Sequence, residues 1–304
     1  MIHLRIENLN HYNLNKGEDN MKYTKSPLNY VGGKYKLLNQ IIPLFPDDID
    51  TFVDLFSGGC NVGINIEAKN IICNDTEQVV IDLLNSWKEL DSSEALNILE
   101  STISKYQLSK INEEGFKQIR LDYNNGNKSW NMFYAMLTHA FNYQIRFNKD
   151  GNYNMPFGRN RSSFNPTLKK NFIEFIDKLN EKNIDFISMD FSKVDLSMLT
   201  VNDIVYCDPP YLITCASYNE QGGWNETKER ELLSLLDELN ERGIKFALSN
   251  VLENKGKTNE ILKEWSNKYT VHHLNNTYGN CNYHAKDKSV STTDEVLITN
   301  YSKE

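Results

Sequence analysis

The sequence lacks several features that would each assign it to a class of protein. Its five cysteines show no CxxC spacing and their number is odd, which predicts free thiols rather than a disulfide framework or a cysteine-rich zinc site. No apolar run approaches the roughly 20 residues that a membrane-spanning helix needs. No charged-then-apolar leader opens the chain. We therefore expect a cytoplasmic protein with no membrane partner.

An excess of positive charge is also absent, since the formal net charge is −8. Taken alone, this charge argues against a polyanionic partner, but it is unevenly distributed. Residues 143–170 carry six lysines and arginines against one aspartate, and residues 21–38 carry four lysines and no acid. Each of these basic segments is either a solvated loop or a surface for a polyanion.

Short apolar runs alternate with helical patterns from Thr51 onward, which is typical of an α/β protein. Seven runs have the character of strands: "TFVDLF", "NIICND", "IDFISMD", "DIVYCD", "KFALSN", "TVHHLN" and "DEVLITNY". We therefore predict a Rossmann-like, doubly wound sheet of seven strands. Residues 1–20 are polar and asparagine-rich without a sustained period, so we expect a loose arm there.

The alternation breaks between the second and third runs, where mainly helical patterns fill a long gap. Structureless loops longer than about 15 residues are uncommon in compact domains, so the gap predicts an inserted domain. We place it at residues 78–166, which leaves residues 21–77 and 167–304 for the main domain. Within the insertion, "IRFNKDGNYNMPFG" predicts two short strands around a turn at Lys149-Asp150-Gly151. The expected product is a β-hairpin with a basic tip.

The segment "FVDLFSGGCNVG" predicts a strand, a glycine-rich turn and the start of a helix. Gly58 and Gly59 allow the backbone to approach a ligand, although such a turn can also be purely structural. The spacing departs from GxGxxG and lacks GxxxxGKS/T, which weakens a dehydrogenase and a nucleotide-hydrolase interpretation. Asp75 ends the next strand, where it either accepts hydrogen bonds from two ribose hydroxyls or caps a helix. In "LNYVGGKYKLL", Tyr30 and Lys34 by themselves predict only a turn and an exposed lysine.

An unusual corner, Asp208-Pro209-Pro210-Tyr211, follows the strand "DIVYC" directly. Prolines cannot extend a strand, so the strand must end at Asp208, and the corner presents Asp208 and Tyr211 rigidly. The amino group of adenine is a poor nucleophile because its lone pair is delocalised into the ring. The Asp208 carboxylate and the Pro209 carbonyl could hold its hydrogens during attack on an electrophilic methyl group, while Tyr211 stacks on a base outside the duplex. The alternative is a tight turn with a helix-capping aspartate.

In their order along the chain, these motifs resemble those of the Dam-type DNA adenine methyltransferases, which use S-adenosylmethionine. The resemblance extends from about residue 21 to residue 301. It comprises "NYVGGK", "DLFSGG", "ND" at Asn74-Asp75, an inserted recognition domain, "DPPY" and "DEVLITNY". The segment "RFNKDGNYNMPFGR" is also similar to the family's DNA-reading hairpin. The resemblance implies methylation of adenine in a short sequence of double-stranded DNA.

The resemblance also implies a role for each matched position. The cofactor pocket would be lined by Tyr30, Lys34, Phe56, Ser57, Gly58, Gly59, Asp75, Asp190, Phe191 and Asp208. Asp75 would bind the cofactor ribose, and Asp190 and Phe191 would flank the cofactor's adenine. The catalytic residues would be Asp208, Pro209, Pro210 and Tyr211. Tyr30 stands where many relatives carry tryptophan, which exchanges one aromatic ring for another.

The inserted domain would bind the duplex. The resemblance implies contacts to phosphates, or in one or two cases to guanine edges, from Arg146, Lys149, Arg159 and Arg161. The loop "SYNEQGGWNE" is either a lid over the extruded base or a connection in which Trp224 is a hydrophobic staple. The histidines form no metal-binding pattern, and methyl transfer to an amine requires no metal.

Other functions are compatible with parts of this pattern. Asp/Asn-Pro-Pro-Tyr sites also occur in enzymes that methylate cytosine in DNA, RNA or protein glutamine. A DNA-binding protein without turnover on the same fold is the non-enzymatic alternative, against which the intact "DPPY" and "DLFSGG" argue. The motifs are shared by solitary enzymes and by enzymes that have a cognate restriction endonuclease as a partner. The resemblance suggests a GATC-like recognition site. Residues 143–147, which would meet the base edges, depart from well-known members, so the target sequence stays open.

Overall fold

The sheet is built from the apolar runs that the sequence marks as strands. The computed structural model describes residues 23–30, 32–214, 223–275 and 293–302. Its strands are β1 (Thr51–Asp54), β2 (Asn70–Asn74), β3 (Ile184–Ile187), β4 (Ile204–Cys207), β5 (Lys245–Asn254), β6 (Lys257–Thr258), β7 (Thr270–Leu274) and β8 (Thr293–Thr299). The loose arm that the sequence predicts at residues 1–20 lies outside the described residues.

The strand order is β3-β2-β1-β4-β5-β8-β7, and the two-residue β6 pairs with β5 outside this path. Strands β1 to β5 are parallel, whereas β8 runs antiparallel to both β5 and β7. The predicted doubly wound α/β sheet is confirmed. The order reverses between β1 and β4, and a crevice forms at the carboxyl ends of the strands at such a switch point.

Eight α-helices are found in the described residues. They are α1 (Leu38–Ile41), α2 (Gln78–Lys88), α3 (Ser92–Lys105), α4 (Glu113–Asn124), α5 (Trp130–Leu137), α6 (Pro166–Asn180), α7 (Glu226–Glu241) and α8 (Glu260–Ser266). Side-chain caps fix several starts: Asp91 accepts hydrogen bonds from the backbone at the start of α3, and Asn225 does so for α7. Five of the helices, α2 to α6, lie between β2 and β3. Of these, α2 to α5 fall within the insertion predicted at residues 78–166, and α6 begins at its last residue.

Both faces of the sheet are covered by apolar clusters, because successive strand side chains point to opposite sides. Phe52 of β1 and Tyr206 of β4 belong to one cluster, whereas their neighbours Val53 and Cys207 belong to the other. Trp87 of α2 is fully buried in the first cluster, and its ring packs on aromatic rings of α5 and α6. The helices between β2 and β3 therefore share a hydrophobic core with the sheet.

The predicted hairpin is present, but its pairing differs from two regular strands. Antiparallel pairing is limited to isolated bridges, between Ala140 and Phe157 and between Phe147 and Tyr153. At the turn, the Asn148 side chain accepts hydrogen bonds from two backbone N–H groups of residues 150–152 and so replaces ladder bonds. Gly151 has a φ of 72°, as the turn prediction requires. Among the described residues, no helix is long and apolar enough to cross a membrane.

Candidate active site

A cavity of about 500 Å³ lies at the carboxyl ends of β1 and β4. It brings together residues that are far apart in the sequence and that the motif analysis assigns to cofactor binding or catalysis. Those lining it are Tyr30, Lys34, Phe56, Ser57, Gly58, Gly59, Asp75, Asp190, Phe191, Asp208, Pro209, Pro210 and Tyr211. All the predicted cofactor and catalytic positions thus face one space.

The glycine-rich turn after β1 forms the floor of this cavity. Its Gly58 has a left-handed φ of 48°, and a Cβ atom there would lie 2.7 Å from a ring carbon of Tyr30. The Gly58 N–H donates a hydrogen bond to Asp75 Oδ2 at 2.8 Å, and the Tyr30 hydroxyl donates to Asp75 Oδ1 at 3.3 Å. Glycine is therefore needed both for the backbone conformation and for the close approach of the Tyr30 ring.

Asp75 follows β2 and is mostly buried. Besides Gly58 and Tyr30, the backbone N–H of Glu77 donates to its Oδ1 at 2.9 Å. Burial raises the pKa of Asp75, and the hydrogen bonds from the Glu77 and Gly58 N–H groups oppose this rise. Each carboxylate oxygen has two lone pairs, so Asp75 can hold the turn and still accept a hydrogen bond from a ligand.

The rings of Phe56, Phe191 and Trp224 form an aromatic wall of the cavity. The Phe56 ring centroid lies 5.4 Å from that of Phe191 and 5.6 Å from that of Trp224, and the Phe191 and Trp224 centroids are 5.6 Å apart. The Trp224 indole N–H donates to the buried carboxylate of Glu229 on α7. Trp224 is thus fixed against the cavity, while Tyr218 of the proposed lid lies outside the described residues.

Asp190 stands at the edge of this wall. Its carboxylate accepts a hydrogen bond from the Ser192 N–H at 3.1 Å and pairs with Lys228 of α7 at 3.2 Å. Partial burial raises the pKa of Asp190, but the hydrogen bonds from Ser192 and Lys228 outweigh it, so that the pKa is lowered overall. Asp190 is therefore a charged acceptor at the rim of the cavity.

The proline corner after β4 places Asp208 beside a buried lysine. Lys34 Nζ lies 2.8 Å from Asp208 Oδ1, and the Tyr211 hydroxyl donates to the same oxygen at 3.0 Å. Burial raises the pKa of Asp208, although Lys34 and the Tyr211 hydroxyl oppose that rise. Within the described part of the chain, Asp208 Oδ2 has no hydrogen-bond partner. The carboxylate is thus held through one oxygen, and the other can accept hydrogen bonds from a ligand.

Two buried carboxylates of the site are not among the residues singled out from the sequence. Asp54, at the end of β1, lines the cavity and is 1% exposed. Burial, reinforced by the charge of Asp208, raises the pKa of Asp54 well above the ordinary range. Glu295, in β8, lies beside Lys34 and Tyr211. Both residues lie within motifs of the sequence, "DLFSGG" and "DEVLITNY", as acids in apolar strand patterns.

The four predicted DNA-contacting residues lie apart from the cavity, on and after the hairpin. Arg146 Nε donates to the side-chain oxygen of Asn154 at 2.8 Å, which fixes the guanidinium across the hairpin. Arg159 pairs with Glu113 at the start of α4, and Arg161 lies 6.0 Å from the ring centroid of Phe141. Lys149 is exposed at the hairpin tip.

The arrangement of these motifs agrees with a comparison against protein families. The sequence profile of D12 class N6 adenine-specific DNA methyltransferases matches residues 30–280, from Tyr30 through the hairpin and the proline corner. The chain belongs to this family. The family resemblance that the sequence motifs indicate is thereby confirmed.

The chain is also similar to individual proteins that are named as methyltransferases or methylases. It is 52% identical to the Type II methyltransferase M.FokI of Planomicrobium okeanokoites and 46% identical to the modification methylase StsI of Streptococcus sanguinis. Each match covers 92% of this chain and 43% of the relative, so the chain spans less than half the length of either protein. The Type II methyltransferase M1.LlaDCHI of Lactococcus lactis subsp. cremoris is 27% identical over 95% of this chain and 98% of its own length.

Proposed function

We propose that the protein transfers a methyl group from S-adenosylmethionine to the exocyclic amino group of an adenine in double-stranded DNA. The observation that carries the proposal is the position of Asp208, whose Oδ1 is bound by Lys34 and Tyr211 and whose Oδ2 faces no other described residue at hydrogen-bond distance. This acceptor lines the same cavity as the Gly58 turn and Asp75. The names of M.FokI and StsI as methyltransferase and modification methylase support the same chemistry.

The cavity has the chemistry to hold S-adenosylmethionine. The buried Ser57 hydroxyl has no hydrogen-bond partner among the described residues, which suits a polar ligand in this space. We assign Asp75 to the ribose hydroxyls, Asp190 to the adenine amino group, and the packed pair of Phe56 and Phe191 rings to apolar contact with the adenine. When bound, the cofactor supplies an electrophilic methyl group on a positively charged sulfur.

The residues of the proline corner would act on the target amine. Asp208 Oδ2 and the Pro209 carbonyl accept hydrogen bonds from the amino hydrogens, which favours a tetrahedral nitrogen with an available lone pair. Lys34 Nζ lies 5.0 Å from the centroid of the Tyr211 ring and covers one of its faces. We place the extruded base on the other face, where stacking holds it in register with Asp208.

We further propose that residues 78–166 recognise the duplex through the hairpin. The hairpin is anchored in the core, since Tyr153 is buried and its ring packs against Phe133 of α5. Arg146 and Lys149 are exposed near its tip and suit phosphate or base contacts, as do Arg159 and Arg161 at its base. Arg159 would exchange its pairing with Glu113 for DNA. Because StsI is named a modification methylase, we also propose a cognate restriction endonuclease as a partner.

Removal of the exposed charge at the hairpin tip is expected to weaken DNA binding in a salt-dependent way. For Lys149→Ala we expect the slope of log affinity against log salt to fall by about 1, as for the loss of one phosphate contact. Filter-binding or anisotropy titrations over a series of salt concentrations measure this slope. The control is Lys178→Ala on α6, which removes the same charge beside Glu181. An unchanged slope for Lys149→Ala would place the hairpin tip outside the DNA interface.

The acceptor class is tested by label transfer. The protein is incubated with S-adenosylmethionine that carries a radioactive methyl group and, in separate reactions, with duplex DNA, RNA and a protein extract. We expect the label in DNA, and nucleoside analysis of that DNA to give N6-methyladenine. Label only in RNA or protein, or on cytosine, would show that the acceptor is a different amino group.

A further inference from the structure

Glu295 is a buried acid in the middle of an apolar strand. It lies in β8 and is 1% exposed, and the next three residues of the strand, Val296 to Ile298, are fully buried and apolar. Enclosing a carboxylate carries a large desolvation penalty unless polar partners compensate for it. Groups that surround Asp208 supply such partners for Glu295.

Glu295 contacts two of the residues that hold Asp208. The Tyr211 hydroxyl lies 3.2 Å from Glu295 Oε1 and 3.0 Å from Asp208 Oδ1. Lys34 Nζ lies 3.6 Å from Glu295 Oε1 and 2.8 Å from Asp208 Oδ1. The ammonium and the hydroxyl are therefore both shared between the two carboxylates. This network joins the N-terminal segment, the corner after β4 and the antiparallel strand β8.

The network limits the positions that its members can take. Lys34 has a long, flexible side chain, and a single contact with Asp208 would leave it several rotamers. Its Nζ is instead held by Asp208, by Glu295 and by the backbone oxygen of Gly32 at 2.9 Å. Glu295 is likewise the second acceptor for the Tyr211 hydroxyl, and this contact fixes the position of the Tyr211 ring at the cavity. Glu295 itself does not line the cavity.

We propose that Glu295 is a positioning residue for methyl transfer, which holds Lys34 and Tyr211 so that Asp208 Oδ2 and the Tyr211 ring face the target adenine together. The proposal rests on the proposed function, because it assigns Glu295 to the same site. A positioning role differs from a packing role. An apolar residue of similar size would fill the space of Glu295 but would contact neither the Lys34 ammonium nor the Tyr211 hydroxyl through a polar atom. Glu295 acts through Lys34 and Tyr211 and touches no reacting atom.

Glu295 also affects the charge balance at Asp208. The titratable groups that face Asp208 come from several elements: Lys34, Asp54, Tyr206, Cys207, Tyr211 and Glu295. Burial is the main cause that raises the pKa of Asp208, and the negative charge of Glu295 raises it further. Loss of that charge therefore lowers the pKa of Asp208. The acidic limb of the rate profile would then move to lower pH.

The test compares Glu295→Ala, Glu295→Gln and the control Asp294→Asn, whose partly exposed carboxylate neighbours Glu295 in β8 and pairs with His273. Single-turnover methylation should slow by about 20-fold in Glu295→Ala, because a hydrogen bond to a charged group is lost. Glutamine keeps an acceptor at the same reach, so Glu295→Gln should lose only about 3-fold, with its acidic limb at lower pH. Cofactor affinity should stay near the wild-type value in all three variants.

A wild-type rate in Glu295→Ala, or a loss that parallels the loss of cofactor affinity, would overturn the proposal. So would equal losses in the two Glu295 variants with an unmoved acidic limb, since packing alone would then explain them. A crystal structure of Glu295→Ala is the readout that does not depend on activity. We expect Lys34 and Tyr211 to leave their shared contacts with Asp208 Oδ1. If both contacts persist, the positioning role is wrong; if the wild-type protein transfers no methyl group, the proposed function fails separately.

Discussion

Asp208→Ala is expected to lower the rate of methyl transfer by roughly 10³-fold, because it removes an acceptor that acts mainly on the amine in the transition state. Affinity for cofactor and DNA should remain largely intact, since the Gly58 turn, the aromatic wall and the hairpin are untouched. Single-turnover methylation and separate binding titrations measure the two effects. The variant also leaves Lys34 without its closest carboxylate, so its thermal unfolding must be measured alongside.

The matched control is Asp185→Ala, which removes an exposed carboxylate of β3 that pairs with Lys88. A surface pair of this kind contributes little to stability, so the control should methylate at the wild-type rate. Near-normal turnover in Asp208→Ala would show that the catalytic assignment is wrong. A loss of cofactor binding as large as the loss of rate would instead make Asp208 a binding residue.

The pH dependence of the wild-type rate follows from the state of the same carboxylate. Burial raises the pKa of Asp208 in the folded protein, and proton uptake converts the carboxylate into a poorer acceptor. Activity is therefore present above this raised pKa and is lost as the pH falls through it. We expect the acidic limb of the single-turnover rate to lie above the ordinary range of aspartate. A flat profile down to the usual aspartate pKa would contradict this expectation.

Gly58→Ala is expected to weaken cofactor binding by about 100-fold, because a misplaced group of the pocket loses most of its contacts. The added Cβ would lie 2.7 Å from the Tyr30 ring, so the ring must move away from the turn. Tyr30 lines the cavity and donates to Asp75, and its displacement disturbs both. Isothermal titration with S-adenosylmethionine measures the affinity.

The control for Gly58 is Gly256→Ala at the turn between β5 and β6. Gly256 also has a left-handed φ, 77°, but nothing lies within 4 Å of the added Cβ. Both variants therefore lose about 1 kcal/mol of stability through the backbone conformation, and only Gly58→Ala creates a clash. Equal cofactor affinities in the two variants would show that the contact between Gly58 and Tyr30 has no part in binding.

The sheet could be predicted from the sequence because its strands are short apolar runs with turn residues on either side. "FVDLF" and "DIVYCD" are predicted as strands from composition alone, and both lie at the centre of the sheet. The family resemblance implies that the Gly58 turn and Asp208 line one cofactor pocket. In the structure the carboxyl ends of the two strands meet at the switch point, which brings these residues to the same cavity.

Glu295 and Asp54 could not be found in this way. An acid within an apolar strand indicates a polar position but not its partners. For Glu295 the partners depend on the pairing of β8 with β5, across a separation of about 45 residues in sequence. For Asp54 they depend on the pairing of β1 with β4. The role of Trp224 was similarly open, because its contact with Phe191 and its hydrogen bond to Glu229 depend on how α7 packs. Sequence spacing does not determine that packing.

The hairpin illustrates a smaller difference. The turn residues predict its position and the left-handed φ of Gly151 correctly. Regular strands are predicted on both sides of the turn, whereas the structure has isolated bridges. One reason is that the side-chain oxygen of Asn148 accepts a hydrogen bond from the backbone N–H of Asn152. Its anchoring by Tyr153 to Phe133 required knowledge of where α5 lies.

The central claim is that this cavity methylates adenine in a defined DNA sequence. The most direct measurement is to incubate the purified wild-type protein and the Asp208→Ala variant with S-adenosylmethionine and unmethylated genomic DNA, and to map modified bases by single-molecule sequencing. We predict N6-methyladenine confined to one short motif in the wild-type sample and none in the variant sample. Unmodified DNA from a wild-type protein that binds the cofactor, or modification of another base, would contradict the claim.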